Sequence, residues 1–571
     1  MIENQKVMAR YNITNKRLLG TVAVALSIVA CTDNWDEHYN MGSPYDGNLW
    51  EAVSSNPNLT NFARVIEACG YDSSLVNSQM FTVFAPTNDY FTAEDANALI
   101  SAYNEQKAKH VKDNDNMTIK EFVQNHIALY NYSVSSLSND SIVMMNGKYL
   151  PLTSSFIGGS QMSSSKTVGN GILYTVDGRL QYSPNVFEYL EKDADLDSVA
   201  RFLYSFNKYE FQPALSVPGD IVDGKTQYLD SVTTLTNEIF VELEARLSSE
   251  DSTYWMVVPT NDVWSALVPE YEKYFQYDKS VNKRDSLQFV NARMALLRGT
   301  IFSRTNNSDQ SVKDSAMSTN AVPYGMRRFF YGSSSDKYYQ YERPFEPGGV
   351  FYGSTSDKCS NGLIYKAGDW HIDKTQTFFQ TIRAEGENNE RLDSVDQAST
   401  NAPLAIYKVS PSNKFYDKIS GKSYSEISPA SGAATNIKAV VNIPGVLSNI
   451  GYDIYVVTVP ALAGDTLASA ADRLPTKFRV RMAYNDENGK QPAKESNWTL
   501  LQQALQTTPD AVDTFLVAEN VKVPYCSWGS NMQPQVKIIF DTRVSNADVR
   551  KGVFNRILRI DCIVFKPHDE E

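Results

Sequence analysis

Histidine and cysteine are both scarce in this chain, five of each among 571 residues. The cysteines (Cys31, Cys69, Cys359, Cys526, Cys562) form no CxxC pair and no framework spacing, so neither a zinc site nor a disulfide-stapled scaffold is expected. Cys526 and Cys562 share the C-terminal region, which leaves two readings open, a disulfide or two buried thiols. None of the histidines (His38, His110, His126, His371, His568) stands at ligand spacing from another histidine or a cysteine. There is no GxSxG, HExxH or GxGxxG run, so no cofactor, no bound metal and no catalysis is expected. Only a pair of carboxylates brought together in space, as in glycosidases, escapes such a search. Basic runs are missing too. With 53 Lys and Arg against 66 Asp and Glu the formal charge is −13, a surface that repels phosphate backbones and argues against nucleic acid as a partner.

What is present is the composition of an ordinary globular protein, 42% hydrophobic and 21% charged, with 33 Tyr and 26 Phe for packing or exposed contacts. The length exceeds what one hydrophobic core supports and calls for roughly three or four domains.

The N-terminus carries Lys16-Arg17, then an apolar run of 13 residues, Leu18 to Ala30, then Cys31. A helix needs roughly 20 residues to cross about 30 Å of hydrocarbon, so residues 1–30 read as a cleaved signal and not as a membrane span. Ile28-Val29-Ala30-Cys31 resembles the bacterial lipobox, which implies lipid attachment at Cys31 and anchorage in an outer membrane. Several acyl chains on one residue hold stably where a single chain binds only marginally. Thr32-Asp33-Asn34-Trp35-Asp36-Glu37 opens an acidic tether, 31–44, resembling the signals that send lipoproteins of Bacteroides-type bacteria to the cell exterior. A solvated linker on a periplasm-facing lipoprotein stays open as the alternative. Residues 1–30 hold Lys6, Arg10, Lys16 and Arg17 against Glu3, so their removal takes the charge from −13 to −16.

Internal repetition follows. Asn48-Leu49-Trp50-Glu51, with Leu59 and Ala63-Arg64, recurs 137 positions later as Asn185-Val186-Phe187-Glu188, with Leu196 and Ala200-Arg201. Pro86-Thr87-Asn88-Asp89 returns as Pro259-Thr260-Asn261-Asp262, and Asn170-Gly171-Ile172-Leu173-Tyr174 as Asn361-Gly362-Leu363-Ile364-Tyr365. The same words in the same order at drifting offsets indicate one module duplicated and loosened by insertions.

Each word has a physical reading. Phe81-Thr82-Val83-Phe84-Ala85 suits a buried strand; Pro86 ends it, and Thr87 to Asp89 offer capping oxygens to a helix. Thr92-x-x-Asp95 and Thr118-x-x-Glu121 both have capping-box spacing, the second leading into Phe122 to Leu129 with apolar residues at helical intervals. Asn146-Gly147 marks a hairpin, and Asn170-Gly171 opens a further β segment.

These words resemble the fasciclin domain: its first signature in Thr82 to Phe91, its histidine segment in Asn125-His126-Ile127, and its second signature in Asn170 to Asp177. The resemblance covers about 45–182 well and 183–375 poorly. In the second copy Phe289-Val290-Asn291-Ala292-Arg293 aligns with Phe122 to His126 and puts Arg293 where the histidine stands. The resemblance implies compact α/β modules of adhesion and matrix proteins, without catalysis, in which Pro86, Thr87, Asn88, Asp89, His126, Asn170 and Gly171 act mainly as structural residues.

From about 376 to 571 the texture changes to short strands between turns, among them Tyr452 to Val459, Phe478 to Met482, Val536 to Phe540 and Leu558 to Phe565. An antiparallel β-sandwich is expected. Alternation is clear in Phe478 to Met482 and in Leu558 to Phe565, and the latter looks like the closing strand of a jelly roll of the carbohydrate-binding kind. Trp498, Tyr525 and Trp528 are the aromatics that would stack on a sugar if exposed, core positions being the alternative.

The expectation is thus a multidomain chain: two α/β fasciclin-like modules followed by an antiparallel, jelly-roll-like β-sandwich. Two functions fit it. One is an adhesion lipoprotein that contacts extracellular protein or matrix; the other is a glycan- or nutrient-binding accessory of an outer-membrane transporter.

Overall fold

The computed structural model describes residues 46–133, 140–213, 217–222, 225–230, 233–304, 315–317, 340–388, 392–395, 405–429, 435–528 and 536–568. The signal, Cys31 and the acidic tether lie outside them. Among the described residues no helix is long and apolar enough to cross a membrane. The chain divides between Tyr182 and Ser183 into two compact units.

In the first unit a seven-stranded sheet runs in the order Ile127–Ala128, Phe81–Pro86, Gly171–Val176, Ser160–Val168, Phe156–Ile157, Tyr149–Leu152, Asp140–Val143. Phe81–Pro86 and Gly171–Val176 pair in parallel, Phe81 opposite Gly171 and Pro86 opposite Val176; every other pairing is antiparallel. Both strands are buried along their whole length, because the sheet is covered on two sides. Phe81, Val83 and Ala85 join a core with Phe62, Val65 and Ile66 of the helix Thr60–Ala68, whereas Phe84 joins Ile142, Leu152, Ile172 and Tyr174 in a second core.

The second unit begins with the same plan. Tyr254–Pro259 and Gly362–Ala367 pair in parallel, Tyr254 opposite Gly362 and Pro259 opposite Ala367, flanked by Ile301–Ser303 and Thr355–Cys359. Two further antiparallel sheets follow. One has six strands, with Leu558–Pro567 paired to Ser423–Ile427, Gly451–Thr458 and Ile382–Glu385; the other runs Leu392–Val395, Lys438–Ile443, Val536–Thr542, Lys477–Tyr484, Thr499–Gln506. Phe478 of the five-stranded sheet meets Phe515 of the six-stranded one with ring centroids 5.7 Å apart.

Several expectations need correction. The boundary at 375/376 does not separate compact units: one continuous core runs from Val186 to Phe565. Phe275 packs edge-on against Trp528 at 5.8 Å, the Cys526 amide donates to Gln276 O (2.7 Å), and the Ser448 amide donates to Tyr274 O (3.0 Å). Thr118 caps nothing with its hydroxyl, which donates to Leu99 O; Asn116 accepts the Thr118 amide instead, and a π-turn, Ile119–Val123, follows. The polar positions of Leu558 to Phe565 do not face water. Arg559 is buried against Glu426 (2.7 Å), and Asp561 is 1% exposed, so the alternation separates two interiors. Cys526 and Cys562 do not pair; they and Cys69 are buried thiols, and Cys359 is buried as well.

A Cβ on Gly171 would overlap the Phe81 carbonyl oxygen, and one on Gly362 would overlap that of Tyr254. Gly171→Ala should therefore destabilise the first unit by about 3 kcal/mol, read as a lowered urea midpoint; an unchanged midpoint would show that the parallel pair tolerates a side chain there.

Candidate functional site

The signature residues converge on the parallel strand pair. Asn170, 5% exposed, stands at the turn into Gly171–Val176. Its Oδ1 accepts the Leu49 amide (2.8 Å), and its Nδ2 donates to the carbonyls of Leu75 (2.8 Å) and Asn77 (2.7 Å). Leu49 opens a helix, so its amide has no partner within that helix; the capping box of Asn48 and Glu51 satisfies the neighbouring donors. In the second unit Asn361 repeats the arrangement, accepting the Val186 amide (2.8 Å) and donating to Leu247 O (2.9 Å) and Ser249 O (2.8 Å), beside a capping box of Asn185 and Glu188.

Asn88 donates to Pro57 O (2.9 Å) and Thr60 Oγ1 (3.0 Å) and accepts the Asn61 amide (3.2 Å). Asn261 likewise donates to Ala194 O (2.7 Å) and accepts the Ser198 amide (2.9 Å). The expectation that Thr87 to Asp89 cap the helix after them is overturned: Asn88 caps the upstream helix Thr60–Ala68, and Thr92 with Asp95 caps the downstream helix Ala93–Ala108. Pro86 closes the ladder opposite Val176, Thr87 donates its amide to Val176 O (3.2 Å), and Asp89 is exposed.

His126 is fully buried. Its Nδ1 lies 2.7 Å from Phe122 O and its Nε2 accepts the Leu180 amide (3.0 Å), which assigns the neutral ring with its proton on Nδ1. Burial pulls its pKa down to about 3. Phe122 and Phe62 pack on it with ring centroids at 4.5 and 5.9 Å. In the second unit Arg293 reaches the corresponding carbonyl, Nη1 to Phe289 O at 3.0 Å, and pairs with Glu272 (2.9 Å) while its guanidinium lies 3.6 Å from the Phe289 ring centroid. A neutral acceptor has been replaced by a cation that keeps the bond four residues back.

The three aromatics proposed for stacking are not one platform. Trp528 is 2% exposed, its ring against Phe275 and its carbonyl accepting the Tyr277 hydroxyl (3.2 Å), so it belongs to the core. Trp498 is half-buried and donates from Nε1 to Pro492 O (3.1 Å); Tyr525, also half-buried, follows the strand Asp513–Lys522 in the other sheet. One spacing was missed in the sequence. Gly219-Asp220-Ile221-Val222-Asp223-Gly224-Lys225-Thr226 fits the phosphate-loop pattern, but that chemistry needs a helix N-terminus after the glycines. Here Val217–Val222 and Lys225–Asp230 pair as an antiparallel ribbon, with Lys225 opposite Val222.

Residues 57–181 match the model of the fasciclin domain, so the chain contains one, and the first unit's signature geometry belongs to it. No curated protein matches the chain. Among solved structures it is similar to a FAS1 domain pair from the insect cell adhesion molecule fasciclin I, at 13% identity over 56% of this chain and 98% of that one, with a TM-score of 0.18. It is also similar to a xylan-binding domain of carbohydrate-binding family 22 (11% identity, 32% and 99% covered, TM-score 0.16). A family 11 carbohydrate-binding module from Clostridium thermocellum gives 10% identity, 35% and 96% covered, and a TM-score of 0.17. Likenesses this low define neither the fold nor a ligand of this chain.

Because folded His126 refuses a proton until about pH 3 while an unfolded histidine accepts one near 6.5, its contribution is complete above 6.5 and is lost as the pH falls toward 3. Between pH 7 and 5 the fasciclin domain should lose about 2 kcal/mol more than a His126→Gln variant loses, at about 1.4 kcal/mol per unit. Urea unfolding at the two pH values measures this, and equal losses would remove His126 from the acid response.

Proposed function

We propose that this chain is a lipid-anchored, non-catalytic interaction protein displayed at the cell exterior, where its fasciclin domain engages extracellular protein or matrix. The observation that carries this reading is the saturation of the signature: Asn88, His126 and Asn170 spend their hydrogen-bonding groups inside the domain. Groups occupied in this way build a scaffold, which leaves contact to the surface. That surface carries Tyr149 and Phe156, both exposed, on the strands that extend the sheet away from the parallel pair. Exposed aromatic side chains on that sheet offer contact area to a partner.

In the same reading the segment from Ser183 through the strand Gly362–Ala367 is a second, diverged fasciclin-like module. Asn261 and Asn361 repeat the bonds of Asn88 and Asn170, and the parallel register is the same. The two later antiparallel sheets form a sandwich fused to that module through the shared core. A glycan-capturing role is the weaker alternative, since burial of Trp528 removes one of its three stacking candidates.

The anchor and the display are tested together by cell fractionation and by protease treatment of intact cells. The wild-type protein should sediment with the outer membrane and be cut on whole cells, and Cys31→Ala should appear in the soluble fraction. A soluble wild type, or one protected until the cells are lysed, contradicts the proposal.

A further inference from the structure

At one end of the six-stranded sheet, three adjacent strands bring a histidine and two carboxylates to one place. Asp453 belongs to Gly451–Thr458, Glu519 to Asp513–Lys522, and His568 directly follows Leu558–Pro567, so no spacing in the sequence announces them. Gly451–Thr458 is the middle strand and pairs with the other two. The His568 amide donates to Gly451 O (2.9 Å), and its ring Nδ1 donates to Asp453 Oδ1 (2.8 Å). One donor atom from each of the three side chains lies within 4.8 Å of the other two. Asp453 and His568 are partly buried, and Glu519 is exposed.

The backbone is shaped to this convergence. Tyr452 stands opposite Val521 and Ile454 opposite Ala518, so both Glu519 and Asn520 face Asp453 in a β-bulge. Asn520 is left-handed, with φ at 49°, and its amide donates to Asp453 Oδ1 (3.0 Å). Gly451 makes room for it, since a Cβ there would collide with Asn520 Oδ1. Bulges re-aim side chains. This one brings Glu519 up to Asp453 and His568, whose own hydrogen bond needs no third member. The imidazole nitrogen also sets the trio apart from a patch of surface acids, which offers oxygen alone.

We propose that Asp453, Glu519 and His568 bind a zinc ion, which ties the end of Leu558–Pro567 and the edge strand Asp513–Lys522 to Gly451–Thr458. The donor set selects the metal. Calcium and magnesium take oxygen ligands, whereas one imidazole nitrogen with two carboxylates suits zinc. With zinc bonds of about 2.0–2.2 Å, ligand atoms of a tetrahedron stand about 3.3–3.5 Å apart. Asp453 Oδ1 and His568 Nδ1 therefore part by about 0.5 Å to admit the ion, and the exposed Glu519 side chain closes in on it. Zinc takes the place of the proton that joins Nδ1 to Oδ1, and that proton leaves to solvent. Three protein ligands leave the fourth position to water.

The full-length protein, stripped by chelating resin, is titrated calorimetrically with zinc, calcium and magnesium chlorides and melted with zinc or with EDTA. One zinc per chain, proton release on binding and a higher melting temperature in zinc are expected. Glu519→Gln keeps the shape at an exposed position, so it should melt as wild type does in EDTA while losing at least about tenfold in zinc affinity. His568→Ala should take up no zinc at this stoichiometry and show no zinc-dependent rise in melting. No zinc uptake by the wild type, undiminished affinity in either variant, or tighter binding of calcium than of zinc at a site that needs Glu519 would each overturn the proposal.

Discussion

One buried carboxamide in each unit holds its parallel strand pair in place. The two strands are joined by a crossover that contains most of the elements around them, so nothing local sets their register. Asn170 supplies what the crossover lacks, joining the start of one helix, the end of another and the turn into Gly171–Val176 through three hydrogen bonds. Without its side chain two buried backbone groups, the Leu49 amide and the Leu75 carbonyl, would be left unsatisfied, each at roughly 1–3 kcal/mol. Gly171 beside it completes the arrangement, since only a residue without Cβ lets the Phe81 carbonyl approach.

From that constraint the chemical silence of the signature follows. A residue that must satisfy three internal partners is not free to bind a substrate, and a histidine with both ring nitrogens engaged and its pKa near 3 is not a general base at neutral pH. Arg293 makes the same point from the other side. The position accepts a cation because what it requires is a donor to the carbonyl four residues back, and Glu272 compensates the charge. In the proposed function, interaction is then left to the surface.

The strands at Phe81 and Gly171, though not their parallel pairing, the Asn146-Gly147 hairpin, the Thr92 cap and the repeated words were legible because each is a local pattern with a local cause. Partners far along the chain were not. Asn88 looked like a cap for the helix that follows it, yet it serves one that precedes it, which only the folded path brings near. Trp528 looked available for stacking, but its burial depends on Phe275 and Tyr277 from another part of the chain. The inward-facing Asp561 was invisible for the same reason: in Leu558 to Phe565 the alternation that usually marks a wet face marks a second interior instead.

The claim that a carboxamide lock secures each unit is tested most directly by native-state hydrogen exchange at the Leu49 and Val186 amides, the first amides of their helices, which accept no protection from helical bonding. The account predicts that both exchange only through unfolding of the whole unit, with the unit's full stability. Exchange at the rate of a frayed helix end, while neighbouring strand amides stay protected, would contradict it.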